Sequence, residues 1–339
     1  MTEILIVGGS ASGGIAARES AKAGFKTTII EEHNIVGKQG KCTALISIKG
    51  LKKLEVDYEK TVMNEIYGAV IHSKHFSFTV EKRVPIAVVL DRQKLDEEII
   101  KESIENGAEL KLKTRLASIE KNKALTSKEN INFNYLIGAD GFASTTASIL
   151  KLPEIKRKVL CYEAEFEGKN EGKTVDVYLD SERFPGFFEW IVPAGSETKT
   201  GFGTTEIKKI NETKKKFLQG NEIKKFKNLK TEFHAFIPLE ERSVIQKNNV
   251  LLVGDAAGQV KSTTGGGVVF GGLGAITAIQ NLDDYEKKWR KLNLLKKHLI
   301  IRELLNKLNN NLLDFTVFST SLGLNKILEL IGDMDFIIK

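Results

Sequence analysis

The first 32 residues alternate between short apolar runs and a segment of small residues. Ile4–Val7 is a continuous apolar run, which predicts a strand buried on both faces. A loop of small residues, 8–14, follows it, and an Ala-rich segment with a helical pattern then ends at Gly24, a residue type that often terminates helices. A second apolar run, Thr27–Ile30, leads to Glu31. The pattern therefore predicts a strand, a tight turn, a helix and a second parallel strand.

The predicted turn has the spacing of a dinucleotide-binding fingerprint. If Gly8 is the first glycine of G-x-G-x-x-G and Gly13 is the third, Ser10 occupies the second position. Small residues let the backbone approach a pyrophosphate at the helix N-terminus, and a carboxylate such as Glu31 binds a ribose hydroxyl. A frame that starts at Gly9 gives G-x-A-x-x-G, but we prefer the first frame. In that frame the Ser10 side chain narrows the approach to the phosphate or donates its hydroxyl to a phosphate oxygen.

Two later apolar runs also end in an acidic residue followed by small residues. Tyr135–Gly138 precedes Ala139-Asp140-Gly141, and Val250–Val253 precedes Gly254-Asp255-Ala256-Ala257-Gly258. Gly265, Gly266 and Gly267 then open a predicted helix, where phosphate or ribitol groups can be bound. The chain therefore contains three polar strand ends and one complete βαβ fingerprint.

Alternation between apolar and polar residues predicts antiparallel strands in two other parts of the chain, 61–83 and 159–244. The second part contains a nonapeptide, Pro185–Pro193, in which Phe187, Phe188 and Trp190 lie between two prolines. Two interpretations fit this composition equally well. The aromatic residues either pack in the core of a sheet or form the wall of an apolar substrate cavity.

From Tyr285 onward the pattern is helical, with leucines at helical spacing beside several lysines. Such a segment either binds a membrane surface or packs its apolar face on the rest of the protein, and we favour packing. No apolar run approaches the roughly 18 residues that a membrane span requires. We therefore expect a cytoplasmic protein whose contact with a membrane, if any, is peripheral.

Composition narrows the function further. The net charge of +7 favours anionic partners, but the lysines are scattered and no aromatic-interleaved basic groove is present, so we expect no nucleic-acid binding. The two cysteines, Cys42 and Cys161, fit a reducing compartment. His72 and His75 have no Cys or carboxylate partners at ligand spacing, and we therefore expect no metal site.

Together these motifs resemble those of the p-hydroxybenzoate hydroxylase superfamily of flavoproteins and, within it, the geranylgeranyl reductase family. The turn 8–13 with Glu31 resembles the FAD fingerprint of the family, and Arg92 in the segment DRQKLD resembles an arginine at a helix start that contacts the cofactor. Asp140 with Ser144 resembles the second motif of the superfamily. The segments 254–258 and 265–267 resemble the motif that binds the ribitol and pyrophosphate of FAD.

The nonapeptide makes the resemblance more specific. It is similar to the family signature P-x-x-[YF]-x-W-x-[FV]-P, which lines a cavity for a polyprenyl chain, although Phe188 replaces the usual tyrosine. Gly40-Lys41-Cys42 falls where relatives carry a cysteine close to the flavin. The chain is also shorter than many relatives, in its C-terminal region.

The resemblance implies an FAD-dependent oxidoreductase that saturates C=C bonds of geranylgeranyl chains in membrane-lipid precursors. An aromatic hydroxylase or a prenyl-quinone reductase is the alternative. The implied partners are a polyprenyl lipid substrate and an electron donor, either a ferredoxin-like protein or NAD(P)H, and the expected state is a monomer. The implied catalytic residues are Cys42, Phe188 and Trp190. The implied substrate-binding residues are Pro185, Phe187, Phe188, Trp190 and Pro193. The implied FAD-binding residues are Gly8, Ser10, Ala11, Ser12, Gly13, Glu31, Glu32, Lys41, Cys42, Arg92, Asp140, Gly141, Gly254, Asp255, Gly258, Gly265, Gly266 and Gly267.

The fold implied is α/β. A discontinuous, Rossmann-like FAD-binding domain, a parallel sheet flanked by helices, is expected over residues 1–60, 84–158 and 245–285. A mostly antiparallel β-sheet substrate domain is inserted into it over 61–83 and 159–244. A C-terminal helical segment follows over 286–339.

Overall fold

The structure is a computed structural model that describes residues 2–38, 42–324 and 335. Its strands are β1 (Ile4–Val7), β2 (Thr27–Ile30), β3 (Leu45–Ser47), β4 (Val62–Ile66), β5 (Gly68–His72), β6 (Ser77–Glu81), β7 (Ala87–Leu90), β8 (Glu109–Lys111), β9 (Leu116–Glu120), β10 (Lys123–Thr126), β11 (Asn130–Asn132), β12 (Tyr135–Gly138), β13 (Lys158–Asn170), β14 (Thr174–Tyr178), β15 (Glu189–Pro193), β16 (Gly195–Thr204), β17 (Leu229–Pro238), β18 (Gln246–Lys247) and β19 (Val250–Leu252).

Its helices are α1 (Ala11–Lys22), α2 (Ile48–Lys53), α3 (Arg92–Glu105), α4 (Thr145–Ile149), α5 (Ile210–Leu218), α6 (Asn221–Lys224), α7 (Val268–Gln280), α8 (Tyr285–Leu292), α9 (Lys296–Leu305) and α10 (Asn310–Ser319). Short 3-10 turns cover Glu59–Thr61, Ile207–Lys209 and Gly254–Ala256, and a π-helical turn covers Thr320–Leu324. Within these described residues, no helix combines the length and the apolar character needed to cross a membrane.

A six-stranded sheet with the order β18-β19-β12-β1-β2-β8 lies at the centre of the first half of the fold. The strands from β19 to β8 are parallel, and only β18 is antiparallel to its neighbour. All four residues of β1 are buried, as expected for a strand covered on both faces. Helix α1 packs between α3 and α7 on one face. The three-stranded sheet β11-β10-β9 covers the other face through Phe133, Leu116 and Ala124.

A seven-stranded sheet with the order β17-β13-β16-β15-β14-β5-β6 forms the second half. Its strands are antiparallel apart from the β14–β5 pair. One face packs Tyr162 and Phe202 against Phe217 of α5 and Ile223 of α6. The opposite face carries Cys161, Phe187, Phe188 and Trp190. Strand alternation separates these two sets of side chains.

The predicted α/β fold is confirmed: a parallel sheet with helices, a separate antiparallel sheet and C-terminal helices. Two local details refine it. Strand β4 pairs with β7 in the small sheet β3-β7-β4 and not with β5. The Asp335 side chain also packs on the body, since Asp335 is 3% exposed and lies beside Lys261 and Ser47. Residues 325–334 and 336–339 of the predicted C-terminal segment lie outside the described residues.

Candidate active site

The turn between β1 and α1 requires glycine at its first and third fingerprint positions. Gly8 has φ +105°, and a Cβ there would lie 2.5 Å from the carbonyl oxygen of Ala139. A Cβ on Gly13 would lie 1.9 Å from the carbonyl oxygen of Gly8. Ser10 has φ −92° and ψ −175°, an ordinary conformation for an L-residue, and its hydroxyl makes no capping hydrogen bond to α1. The geometry therefore accepts serine at the second position and leaves its hydroxyl at the N-terminus of a helix, where anions bind.

Glu31 follows β2, and hydrogen bonds hold its carboxylate beside this turn. Its Oε2 accepts a hydrogen bond of 2.8 Å from the Gly9 amide, and its Oε1 accepts one of 2.9 Å from the His33 amide. The His33 Nδ1 also lies 2.6 Å from Oε1. Glu32, by contrast, is 54% exposed and is not brought to the turn. Of the two adjacent acids, Glu31 is the one positioned to meet a ribose hydroxyl.

The Asp140 carboxylate accepts hydrogen bonds from residues at the start of α4. Its Oδ1 accepts a hydrogen bond from the Ser144 hydroxyl at 2.6 Å, and its Oδ2 accepts from the amide and hydroxyl of Thr146 at 2.8 and 2.9 Å. These bonds hold the start of α4 against the end of β12. The neighbouring Gly141 has φ +74° and open space where a Cβ would lie, so backbone is exposed there for a ligand.

Arg92 begins α3 and Asp255 lies in the 3-10 turn after β19, and the two are near enough for the Arg92 charge to act on the Asp255 carboxyl. Arg92 donates from Nε to Asp96 at 3.0 Å and contacts the Cys42 thiol. Burial disfavours the Arg92 charge, but Asp96 and Cys42 outweigh it and hold its pKa above the usual value. Burial raises the pKa of the Asp255 carboxyl, and the charge of Arg92 opposes that rise.

The Asp255 side chain fits the ribitol chain of FAD. The residue is only partly buried, and no hydrogen bond to its side chain is present within the described part of the chain. Gly267 leaves room beside it, since a Cβ there would lie 2.8 Å from Oδ1. A carboxylate that has lost part of its water gains from a ligand that supplies hydrogen-bond donors. Hydroxyl groups of a bound polyol would do so, and the helix N-terminus at Gly267 favours the adjoining phosphates.

Other predicted cofactor residues join these elements to each other. A Cβ on Gly254 would lie 2.7 Å from the Ser12 hydroxyl oxygen, so α1 and the loop after β19 are in close contact. Gly258 has φ +73° and would place a Cβ 2.3 Å from the Glu240 carbonyl oxygen. Ala11 is buried and lies beside Asp96. A Cβ on Gly266 would meet the Lys261 side chain at 2.7 Å. Lys41 lies outside the described residues.

The nonapeptide forms an aromatic cluster against the glycine loop. Phe187 and Phe188 stack with 4.2 Å between ring centroids, and Trp190 meets Phe188 edge-on at 5.9 Å. A Cβ on Gly265 would lie 3.3 Å from Cζ of Phe187. The two prolines play different parts. The Pro185 carbonyl oxygen accepts a hydrogen bond from the Thr205 amide, just after β16. Pro193 lies at the far end of β15 and pairs with Thr198.

The loop that carries Cys42 is attached to the seven-stranded sheet. The Cys42 sulfur accepts a hydrogen bond from the Ala44 amide at 3.3 Å, and Ala44 adopts a left-handed conformation with φ 55°. Between them, the Thr43 hydroxyl donates to the Glu163 carboxylate of β13. Cys161 is buried near the same cluster, and burial raises the pKa of its thiol well above the usual value. Cys42 is therefore the more accessible of the two thiols and lies beside Arg92.

Sequence reasoning missed Arg302, Glu163 and Thr43. Arg302 reaches from α9 over the Phe187 ring, 4.7 Å from its centroid, and donates to the Ser262 carbonyl at 2.9 Å. Burial lowers the pKa of Arg302 to about 10. Helix α9 also carries Lys296, Lys297 and Glu303, so nothing in the sequence sets Arg302 apart.

Metal chemistry has no candidate site among residues 2–38, 42–324 and 335. No group of three or more His, Cys, Asp or Glu side chains there is arranged to hold an ion. His72 and His75 each face a single carboxylate, that of Asp176 and Asp314 respectively.

Comparison with known proteins identifies the family. The FAD binding domain family matches residues 1–298. The chain is 31% identical to an uncharacterized protein, MJ1520, of Methanocaldococcus jannaschii over 98% of this chain and 92% of that protein. It is 28% identical to the digeranylgeranylglycerophospholipid reductase of the same organism, over 92% of this chain and 88% of the reductase.

Solved structures show the same fold. A geranylgeranyl bacteriochlorophyll reductase-like protein, Ta0516 from Thermoplasma acidophilum, superimposes with a TM-score of 0.86 at 21% identity, covering 98% of this chain and 96% of that one. The flavin-dependent brominase Bmp2 gives 0.77 at 14% identity, covering 99% and 94%. The predicted cofactor, enzyme class and resemblance are confirmed. The chain belongs to the FAD binding domain family and is an FAD-dependent oxidoreductase.

Proposed function

We propose that this enzyme saturates C=C bonds in the geranylgeranyl chains of membrane-lipid precursors. The observation that carries the proposal is the stacked pair Phe187–Phe188, which lies against Gly265 at the start of the glycine loop. A hydrocarbon chain offers no polar group, so an enzyme must recognise it through apolar surface and shape. Relatives named digeranylgeranylglycerophospholipid reductase support the same substrate class.

The residues of the chain have separable tasks in this reaction. When bound and reduced, FAD supplies hydride. Asp255, Arg92 and Glu31 bind and orient the cofactor. Phe187, Phe188 and Trp190 hold the alkene in a space from which water is excluded, which suppresses side reactions. Cys42, beside the Arg92 guanidinium, positions the substrate or relays the proton that the second alkene carbon requires.

We propose that a ferredoxin-like protein or transiently bound NAD(P)H reduces the FAD. Anaerobic mixing with NADH, NADPH or reduced ferredoxin, followed by flavin absorbance, distinguishes the two. A donor that bleaches the flavin within the turnover time is the physiological class.

The lipid substrate requires access from a membrane, and we propose that α10 provides peripheral contact. Its buried residues include Leu313 and Val317, whereas Leu312, Phe315 and Phe318 are exposed, Phe315 by 67%. Exposed aromatic and leucine side chains on one helix face favour insertion into a headgroup layer. Sedimentation with anionic vesicles tests this, and Phe315→Ser should reduce the bound fraction without loss of flavin.

One experiment tests the reductase function directly. The reduced enzyme is incubated anaerobically with geranylgeranylated glycerophospholipid, and the lipid is analysed by mass spectrometry. Stepwise gain of hydrogen pairs supports the proposal. Reduction of a prenyl quinone alone, or aerobic incorporation of oxygen into an aromatic compound without lipid reduction, would assign one of the alternative activities.

A further inference from the structure

Glu163 is a buried acid on the face of β13 that carries the aromatic cluster. It is 3% exposed, and strand alternation places it on the same face as Cys161, opposite Tyr162 and Ala164. Its Oε2 accepts from the Thr43 hydroxyl, next to Cys42 in sequence. Its Oε1 and the Nε1 of Trp190 are both buried and form no hydrogen bond of standard geometry in the described parts of the chain. The indole N–H nevertheless lies close enough to Glu163 to stabilise its carboxylate weakly, beside the aromatic cluster.

The groups around Glu163 decide its protonation. On β13 itself, Cys161 and Glu165 share its face, and β16 contributes Lys199, which is 4% exposed and lies 3.6 Å from Glu165. The loop at Thr43 and the Trp190 side chain complete its surroundings. Burial outweighs the stabilising contacts with Thr43 and Lys199 and raises the pKa of Glu163 to about 7. A substantial fraction is therefore neutral at physiological pH.

Protonation changes what Thr43 can do. An ionised carboxylate only accepts hydrogen bonds, so Thr43 must donate to it. A neutral carboxyl group donates its own hydrogen to the Thr43 oxygen, which frees the Thr43 hydroxyl hydrogen to point elsewhere. Thr43 directly follows Cys42, whose thiol contacts Arg92, a residue predicted to bind the cofactor, so the loop of Thr43 connects Glu163 to the predicted cofactor site.

We propose that Glu163 is the proton source for alkene saturation and that Thr43 passes the proton into the cavity. This inference rests on the proposed reductase function. In each turnover a hydride from reduced FAD forms a C–H bond at one alkene carbon, and a proton forms a C–H bond at the other while the C=C π bond breaks. The alkene gains two electrons and the flavin loses two. Thr43 gives up its hydroxyl proton and takes the proton of Glu163, which is left as carboxylate and is reprotonated from solvent.

The test separates this step from flavin reduction. Enzyme reduced beforehand with dithionite is mixed anaerobically with the prenyl lipid, and flavin reoxidation is followed between pH 5.5 and 9. The wild-type rate should fall tenfold per pH unit above about 7, because the neutral acid is lost. Glu163→Gln should be at least about 100-fold slower, the usual lower range for loss of a general acid, and should lack this pH dependence.

Matched variants distinguish proton supply from structural support. Thr43→Val removes the hydroxyl at nearly constant shape and should slow reoxidation as Glu163→Gln does, whereas Thr43→Ser should restore the wild-type profile. Glu189→Gln is the control, because Glu189 is equally buried but faces the opposite side of the sheet, towards Phe202 and Arg183. It should retain the rate and its pH dependence.

A spectroscopic readout does not depend on turnover. The infrared carbonyl absorption of protonated carboxylic acids should contain a component that titrates near pH 7 in the wild-type holoenzyme, and Glu163→Gln should remove this component while leaving that of Glu189, which titrates near pH 8. Flavin content and melting temperature establish that each variant is folded. An unchanged rate and pH profile in Glu163→Gln, with active wild type, overturns the role of Glu163 and leaves the reductase function standing. Failure of the wild type to reduce any prenyl lipid instead overturns the reductase function, and with it any proton transfer to an alkene.

Discussion

The Glu189→Gln substitution should make the stability of this protein much less sensitive to pH. Glu189 is fully buried, neither of its oxygens has a hydrogen-bond partner among the described residues, and Arg183 lies 3.4 Å from Oε2. Burial raises its pKa to about 8 from an ordinary value of 4.5, although Arg183 opposes the rise. In the folded protein the side chain stays protonated over a pH range where the unfolded chain is ionised. The contribution of Glu189 to stability is therefore fully present below about pH 4.5 and is lost as pH rises towards 8.

The size of the effect follows from the difference between the two pKa values. At about 1.4 kcal/mol for each tenfold change in proton affinity, the shift to about 8 corresponds to about 5 kcal/mol, an upper value for the stability lost between pH 4.5 and 9. Glutamine is neutral throughout and should remove this part of the loss. The Glu163 carboxyl, whose pKa is about 7, should leave a smaller residual decline.

Thermal unfolding at several pH values between 5 and 9 measures this effect. With about 2 °C per kcal/mol for a chain of this size, the melting temperature of Glu189→Gln should exceed that of the wild type by up to about 10 °C at pH 9. Little difference is expected at pH 5. Glu182→Gln, at an exposed position in the turn before β15, is the control and should follow the wild-type curve. An equal pH dependence in Glu189→Gln and the wild type would refute the reasoning.

Three further predictions concern the cofactor and the active-site loop. Gly13→Ala places a Cβ 1.9 Å from the Gly8 carbonyl oxygen and should destabilise the protein by about 1–3 kcal/mol. It should also abolish FAD retention, measured by flavin absorbance after gel filtration. If the variant retained FAD, the turn would have to be able to open. Ser10→Ala should weaken FAD binding about tenfold in a fluorescence titration if the hydroxyl donates to a phosphate. If instead Ser10→Gly weakens FAD binding tenfold and Ser10→Ala leaves it unchanged, the effect comes from backbone shape. Cys42→Ser should keep its flavin but lose turnover, and unchanged turnover would exclude Cys42 from the mechanism.

The cofactor half of the fold was predictable because its signals are local. Ile4–Val7 and Thr27–Ile30 are short apolar runs separated by a glycine turn and a helix, and the structure has β1, α1 and β2 at those positions. Steric requirements at Gly8 and Gly13 come from backbone contacts that any βαβ turn of this kind creates. Asp255 was found by the same logic, since it follows a buried strand.

The other side of the site depends on contacts between residues far apart in sequence. Thr43 and Glu163 are 120 positions apart, and neither stands out in composition from its neighbours. The alternating pattern of β13 predicts that Cys161 and Glu163 share a face, but not that this face meets the loop of Cys42. Phe187 and Phe188 are buried in a cluster and adjoin Gly265, so the nonapeptide packs in the core, and its role as the wall of a substrate cavity stays a prediction.

Arg302 connects the C-terminal helix α9 to the candidate active site. Its guanidinium donates to the carbonyls of Ser262 and Thr263, in the loop before α7, while its plane covers the ring of Phe187. One buried cation thereby fastens the loop that approaches the cofactor to the aromatic wall expected to hold the substrate. Burial lowers the pKa of Arg302 only to about 10. The side chain therefore remains charged at physiological pH and keeps these carbonyl contacts. The distance between cofactor loop and substrate wall is therefore set by α9, which the leucine pattern alone indicated only as a helix that packs on the body.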